Sequence, residues 1–157
     1  MSFKEFNLND LNATAVLATR LSEAVSIAPK PQIIFLHGDL GAGKTTLVQK
    51  LLQALGVKER VKSPTYTLIE TYAVKNFKIY HLDLYRINRV EELEDLGIRD
   101  LTAEQAVLLI EWPEILAHTG MTPTLSCTLS LFNENARKII LSSSQEFWHE
   151  YLRTSTD

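Results

Sequence analysis

"HGDLGAGKTT", residues 37–46, contains the pattern G-x-x-x-x-G-K-[ST], which is typical of phosphate-binding loops. The residues before it, "QIIFLHG", form a short apolar run that suits a buried parallel strand. The residues after it, "KTTLVQKLLQALG", repeat apolar side chains at helical spacing and stop at Gly56, a natural helix C-cap. Strand, glycine-rich loop and helix therefore follow one another in the order that a phosphate-binding loop requires.

Each residue type in this loop has a physical task. Glycines allow the backbone to turn and bring its N–H groups against phosphate oxygens, where the positive end of the helix dipole adds to the attraction. The lysine reaches the β- and γ-phosphates, and the hydroxyl after it takes one Mg²⁺ position. The residues of this stretch that we predict to bind the cofactor are Gly38, Leu40, Gly41, Ala42, Gly43, Lys44, Thr45 and Thr46. The alternative is an ordinary glycine turn before a helix.

Length and composition indicate a single globular domain over residues 1–157. Apolar residues make up 45% of the chain and charged residues 22%, close to the average for a soluble globular protein. The net charge of −3 provides no basic surplus for nucleic-acid binding. Any RNA in this protein's pathway is therefore expected to be held mainly by something else.

Cysteine usage and the absence of long apolar runs indicate a cytoplasmic protein. The one cysteine, Cys127, cannot form an internal disulfide or a cysteine metal cluster, and we expect it in the core. The first ten residues contain no basic region followed by an apolar run, and nowhere do 18 apolar residues occur together. We therefore predict neither a leader segment nor a membrane span.

The remaining chain predicts a mixture of strands and helices. Expected strands are "FKEFNL", "AVLLIEW" and a final hairpin of "TLSCTLSLFN" with "ARKIILSSS"; expected helices are "RVEELEDLGIRDLTAEQ" and "QEFWHEYL". An early helix in "NDLNATAVLATRLSEAV" follows Asn and Asp capping candidates, and its apolar face comprises Leu11, Ala15, Ala18, Leu21 and Val25. The last five residues, "RTSTD", have the composition of a disordered tail.

A second hairpin is predicted between "TYTLIETYAV" and "FKIYHLDLYRI", residues 65–74 and 77–87, with the turn at Lys75 and Asn76. Counting back along the ladder pairs Val74 with Phe77, Glu70 with His81, and Leu68 with Asp83. The whole pattern predicts an α/β, P-loop NTPase-like three-layer fold, with a mixed, centrally parallel sheet and antiparallel hairpins.

A phosphate-binding loop needs an acidic partner for Mg²⁺, and two residues compete for that role. Glu111 follows an unbroken apolar run, so its carboxylate should emerge at the carboxyl edge of the sheet, where α/β proteins bind ligands. Asp83 lies on an alternating strand, on the same face as His81 and Tyr85. We assign Glu111 to the metal and Asp83 to a supporting role near water; for each, the alternative is a surface salt bridge.

Three further features have ordinary structural explanations on spacing alone. The segment "KSPTYT", residues 62–67, is typical of a turn entering a strand, although nucleotide-sensing loops often occupy this position. Trp112 is expected to be a packing residue, and His37 a hydrogen-bonded histidine at a strand end.

The motifs "GDLGAGKTT", "SPTYTL", "HLDLYR" and "IEWPE", in this order and in a chain of this length, resemble the bacterial TsaE (YjeE) family. The resemblance implies a small ATPase that binds ATP and Mg²⁺ and hydrolyses ATP slowly alone. It also implies TsaB and TsaD partners, of which TsaD transfers a threonylcarbamoyl group to the adenosine beside the tRNA anticodon. ATP turnover is expected to reset that assembly, and the free protein to be a monomer.

The resemblance also implies roles for individual residues. Residues 41–46 would contact the phosphates, with Lys44, Asp83 and Glu111 catalytic, Thr45 and Glu111 on Mg²⁺, and Asp83 close to the reacting phosphate.

The remaining implied roles lie further from the phosphates. A switch-like loop corresponds to Ser63, Pro64 and Thr65. Trp112 follows the metal acid as the family pattern expects, and Arg137 is a candidate for stacking on the base. An arginine finger would come from Arg86 or from a partner.

Other functions use similar phosphate loops. A small-molecule kinase is one alternative, although the chain has no arginine-rich lid segment and no evident acceptor site. A GTPase would be expected to contain an N-K-x-D segment, which is missing. A binding module that senses nucleotide without hydrolysing it is the third alternative.

Overall fold

The computed structural model describes residues 1–155, which form a seven-stranded sheet and five α-helices. The strands are β1 (Ser2–Leu8), β2 (Gln32–His37), β3 (Ile69–Ala73), β4 (Lys78–Asp83), β5 (Ala106–Glu111), β6 (Leu125–Leu131) and β7 (Arg137–Ser143). The helices are α1 (Leu11–Ile27), α2 (Lys44–Ala54), α3 (Val90–Asp95), α4 (Ile98–Thr102) and α5 (Glu146–Thr154), with a 3₁₀ helix at Pro113–His118.

The sheet is mixed and parallel at its centre, which confirms the predicted fold class. The strand order is β1-β7-β6-β2-β5-β4-β3. Strand β2 pairs in parallel with β5 and β6, and β5 pairs in parallel with β4, while the pairings β1–β7, β6–β7 and β3–β4 are antiparallel. The interior strands β2 and β5 are the continuous apolar runs of the sequence, because both faces of a central parallel sheet are buried.

Two apolar cores lie on opposite faces of the sheet and produce the three layers. One core joins alternate side chains of the central strands, including Ile79 and Leu109, to α1, α2 and α5. The other core joins the intervening side chains, including Leu108 and Ile110, to α3, α4 and the 3₁₀ helix. Helix α5 is held in the first core by Trp148, whose Nε1 donates a hydrogen bond to Gln32 Oε1 at 2.7 Å.

Helix α1 forms as predicted, but its buried face differs. Asp10 caps the helix, since its Oδ1 accepts a hydrogen bond from the Ala13 N–H at 2.8 Å. Leu11, expected in the core, is 66% exposed, whereas Leu17 is buried. The expectation for Leu11 is wrong because this first residue of the helix lies beside an open cavity that its side chain lines.

The β3–β4 hairpin has the predicted register but shorter strands. Glu70 lies opposite His81, and the N–H of Asp83 donates to the Leu68 carbonyl at 3.1 Å. Residues 65–68 are not a strand as expected: residues 64–67 form a turn, and Leu68 has a φ of 69°. The turn closes when the Leu68 N–H donates to the Pro64 carbonyl at 2.8 Å, so the extended ladder begins only at Ile69.

Two predicted segments end differently from expectation. The acidic helical segment is broken into α3 and α4 at Gly97, whose φ is 69°. The expected tail is partly wrong, because α5 continues to Thr154, and the Ser155 N–H donates to the Tyr151 carbonyl at 2.9 Å. The remainder of that tail, residues 156 and 157, lies outside the described residues.

Cys127 lies in the core, as expected, and burial raises the pKa of its thiol to about 12. Among residues 1–155, no helix has the length and apolar character needed to cross a membrane.

We predict that Leu109→Ala lowers the free energy of unfolding by about 2–5 kcal/mol, because its side chain is fully buried on β5. The matched control is Leu131→Ala, at a 58% exposed position on β6, for which a change within about 0.5 kcal/mol is expected. Urea unfolding followed by circular dichroism measures both values. Equal losses for the two variants would contradict the described core.

Candidate phosphate and metal site

The loop between β2 and α2 has a backbone that only glycine adopts readily. Gly38, Gly41 and Gly43 have φ values of 147°, 80° and 104°. At Gly38 there is also no room for a side chain, since a Cβ would lie 2.7 Å from the Leu129 carbonyl oxygen on β6. The loop therefore packs tightly against β6 at Gly38.

The side chain of Lys44 contacts backbone carbonyls of this loop. The side chain is buried, and its ammonium group donates hydrogen bonds to the carbonyl of Gly38 and, at 3.1 Å, to that of Asp39. The same Nζ lies 3.9 Å from the centroid of the Trp112 ring, a cation–π contact. Burial lowers the pKa of Lys44, and nearby carboxylates, Glu111 foremost, partly oppose that change.

Glu111 ends β5 beside the loop and is 2% exposed. Its Oε1 accepts a hydrogen bond from the Thr45 hydroxyl at 2.8 Å, and its Oε2 accepts one from His81 Nε2 at 2.6 Å. The surface salt bridge considered as the alternative therefore does not describe this carboxylate. Both oxygens are held by side chains from other elements, α2 and β4.

Asp83 ends β4 directly beside Glu111 in the parallel register. Its Oδ2 accepts a hydrogen bond from the Thr65 hydroxyl at 3.2 Å, and its Oδ1 accepts the N–H of Tyr85 at 3.0 Å. The Thr65 and Ser63 hydroxyl oxygens lie 2.8 Å apart. The segment around residues 63–67 is a turn, as its spacing predicts, and it is also attached to an acidic group of the site.

Trp112 does more than pack. Its φ of 55° turns the chain sharply after Glu111, and its ring contacts the ring of Tyr85 in a tilted arrangement, with the centroids 4.8 Å apart. This left-handed backbone is uncommon for an aromatic residue, and it places the indole over Lys44. Periodicity alone predicted a packing residue, which describes only part of these contacts.

These elements surround a cavity of about 470 Å³. The lining includes the predicted residues Leu40, Gly41, Ala42, Gly43, Lys44, Thr45, Thr46, Thr65, Asp83, Glu111 and Trp112. The cavity is also lined by Leu8, Asp10, Leu11, Thr14, Leu129, Glu134, Asn135 and Arg137. Of these last residues, only Arg137 was predicted as a site residue. The others come from the region of β1, α1 and the β6–β7 hairpin, and the spacing of the sequence does not indicate that these elements meet.

Four predicted residues do not line the cavity: Gly38, Ser63, Pro64 and Arg86. Gly38 lies behind the loop against β6. The guanidinium of Arg86 lies 4.5 Å from the centroid of the Tyr66 ring. The Tyr66 side chain is 79% exposed. His37 is hydrogen-bonded at its strand end, as expected, with Nδ1 3.3 Å from Glu114 Oε1.

His81 was not predicted as a site residue, although the alternation of β4 placed it on the face of Asp83. It is fully buried and contacts Glu111 directly. Alternation indicates the face but not the distance to another strand's side chain, so this contact required the parallel β4–β5 register.

The oxygen donors of the site fit a small hard cation. Thr45 donates its hydroxyl hydrogen to Glu111, which leaves the lone pairs of Thr45 Oγ1 for another partner, and Asp83 offers a second carboxylate nearby. Within the described part of the chain, no group of three or more His, Cys, Asp or Glu side chains could hold a metal alone. Mg²⁺ keeps several waters and binds through one or two protein groups together with phosphates, and hydroxyl and carboxylate oxygens such as those of Thr45, Glu111 and Asp83 are ligands of the kind that it prefers.

The mixed, centrally parallel sheet, with a glycine-rich loop joining an interior strand to a helix, defines an α/β protein of the P-loop NTPase-like fold class. A family model described as "Threonylcarbamoyl adenosine biosynthesis protein TsaE" matches residues 8–139. The chain belongs to the TsaE family.

Individual relatives agree with the family model. The chain is 45% identical over 113 residues to the tRNA threonylcarbamoyladenosine biosynthesis protein TsaE of Haemophilus influenzae, covering 71% of this chain and 70% of the relative. It is 37% identical over 152 residues to the protein of that name from Rickettsia felis, covering 94% and 86%. The crystal structure of Bacillus subtilis YdiB matches with a TM-score of 0.76 over 97% of this chain and 92% of that chain, at 23% identity, and so supports the fold.

We predict that Gly38→Ala weakens ATP binding by about tenfold or more, because strained backbone of this kind costs of the order of 1–3 kcal/mol. Gly56→Ala is the matched control: its φ of 98° is also positive, but a Cβ there meets nothing within 4 Å and lies outside the cavity lining. Titration with a fluorescent ATP analogue measures the affinity of each variant. Equal affinities would show that the close approach to β6 does not shape the loop.

Proposed function

We propose that this protein is a Mg²⁺-dependent ATPase required for formation of the threonylcarbamoyl group on the adenosine next to the tRNA anticodon, acting with TsaB- and TsaD-type proteins. One observation carries the ATPase part: Lys44, Thr45 and Glu111 line the same cavity as the glycine-rich loop, and the Thr45 hydroxyl donates to Glu111. Membership of the TsaE family supports the pathway.

Lys44 and the loop N–H groups would bind the phosphates. In the cavity the ammonium group is largely removed from water, which strengthens its attraction for phosphate oxygens. Its present partners are backbone carbonyls of Gly38 and Asp39, which are uncharged acceptors that phosphate oxygens can replace.

Thr45 and Glu111 would hold the metal, Thr45 through its free lone pairs and Glu111 through Oε1 or a water. Mg²⁺, when bound, would neutralise charge that develops on the β- and γ-phosphates. Most of the catalysis in this proposal is charge stabilisation by a prearranged site, as is usual for phosphoryl transfer to water.

Asp83 is the proposed group for the attacking water. It lies beside Glu111 at the edge of the sheet, faces the cavity, and holds Thr65 of the switch-like loop. A change of phosphate occupancy near Asp83 would therefore act directly on the hydroxyl that anchors residues 63–65.

We propose that ATP turnover resets the TsaB–TsaD assembly between rounds of modification. The net charge of −3 supports indirect contact with tRNA through the partners. The proposed setting is the cytoplasm, with the protein a monomer when free.

We predict that Glu111→Gln lowers ATP hydrolysis by roughly 10²-fold or more while nucleotide binding persists, because the variant keeps the shape of the side chain and removes the charge. Lys44→Ala should weaken binding itself. The decisive measurement is multiple-turnover tRNA modification with purified TsaB- and TsaD-type proteins, with and without this protein and with each variant.

The outcomes separate two functions. If Glu111→Gln abolishes hydrolysis and modification stops after the first round, turnover is needed to reset the assembly. If the same variant supports repeated rounds, the protein is a nucleotide-sensing binding module and the ATPase proposal is wrong.

Arg86 is stacked on Tyr66 outside the cavity, which favours a partner as the source of an arginine finger. We therefore expect ATP hydrolysis to rise by about tenfold or more when TsaB- and TsaD-type proteins are added, a small part of what an arginine finger can contribute. Arg86→Ala should retain this increase. Steady-state phosphate release measures it, and an unchanged rate on mixing would contradict the partner version.

A further inference from the structure

Within residues 1–155, the side chain of His81 makes its one hydrogen bond to the acidic side chain of the site, Glu111. Its ring is 0% exposed, and Nε2 lies 2.6 Å from Glu111 Oε2. The other ring nitrogen, Nδ1, is buried without a hydrogen-bond partner in the described part of the chain. Since a carboxylate can only accept, Nε2 carries the hydrogen of this bond.

Core packing alone does not account for an imidazole at this position. On the same face of β4, the preceding inward residue Ile79 is an ordinary apolar core residue. A buried polar nitrogen without a partner costs free energy, which an apolar side chain of similar size would avoid. The residue type is therefore explained by its bond to Glu111 and not by burial.

This bond holds one oxygen of a carboxylate whose orientation is not defined by burial alone. The last torsion of a glutamate side chain is broad and roughly two-fold, so burial of Glu111 does not define which way its oxygens point. With Oε2 held by His81 on β4, Oε1 is directed at the hydroxyl of Thr45 at the start of α2. The two contacts together set the plane of the carboxylate.

We propose that His81 is a positioning residue that holds Glu111 in the orientation needed for metal binding. It acts through Glu111 and does not contact phosphate or metal itself. The inference rests on the proposed function, because it requires that Thr45 and Glu111 hold Mg²⁺. Hydrogen-bond partners of metal ligands commonly change metal affinity by roughly 10- to 100-fold when they are lost.

Three variants separate positioning from packing. His81→Gln keeps an N–H donor near the place of Nε2, His81→Asn moves the donor toward the place of Nδ1, and His81→Leu removes it while filling the space. The quantity to measure by calorimetry is the affinity for the non-hydrolysable ATP analogue AMP-PNP, first with Mg²⁺ and then with EDTA. The ratio of the two affinities is the magnesium enhancement, and the EDTA value is the control for an intact loop.

We expect His81→Leu and His81→Asn to lower the magnesium enhancement by about tenfold, with the EDTA affinity close to that of the wild type. His81→Gln should retain most of the enhancement, and ATP hydrolysis should follow the same order.

Four results would overturn the inference. An unchanged enhancement in His81→Leu shows that His81 does not position Glu111. An equal loss of affinity with EDTA shows a general packing role, as does a failure of His81→Gln to differ from His81→Asn. A wild-type protein without magnesium enhancement contradicts the proposed metal site and this inference with it, so the wild type alone tests the metal site and the variants test the role of His81.

Discussion

A buried carboxylate at the end of the interior strand β5 is the constraint on which the site depends. Removing an ionised group from water is costly unless hydrogen bonds and opposite charge compensate it. Glu111 obtains this compensation from three groups on two elements: the Thr45 hydroxyl and the nearby ammonium of Lys44, both on α2, and the His81 ring on β4. The same bonds that stabilise the carboxylate therefore join the phosphate loop to the sheet.

The carboxylates around Lys44 bear on the proposed binding of Mg²⁺. Glu111, Glu114, Asp83 and Asp39 all act on this one ammonium group, and burial nevertheless lowers its pKa. Polyphosphate would add further negative charge to a region where carboxylates already exceed the lysine. A divalent cation would restore the balance, and the oxygen donors of Thr45, Glu111 and Asp83 suit one. The electrostatics therefore support Mg²⁺ and ATP binding together more than ATP binding alone.

The sequence predicts those parts of the site that depend on local pattern. The loop lies between an apolar strand and an amphipathic helix, and Glu111 ends a second apolar run, so both could be placed at the carboxyl edge of the sheet. The β3–β4 register followed from alternation and turn position. Features that depend on packing could not be predicted: the φ of Leu68, the exposure of Leu11, and the contact of His81 with Glu111. Each arises where elements distant in sequence meet, which periodicity does not describe.

Residues of one loop, 64–67, connect the site to an exposed part of the protein surface. Asp83 accepts the Thr65 hydroxyl within the cavity, and the next residue, Tyr66, is 79% exposed and stacks on Arg86. Residues 64–67 form a single turn closed by the Leu68 N–H, so Thr65 and Tyr66 are neighbours within one compact backbone unit. Aromatic side chains are enriched at protein interfaces. In the proposed function, this turn connects an acidic residue of the phosphate site to an exposed surface that partner proteins can contact.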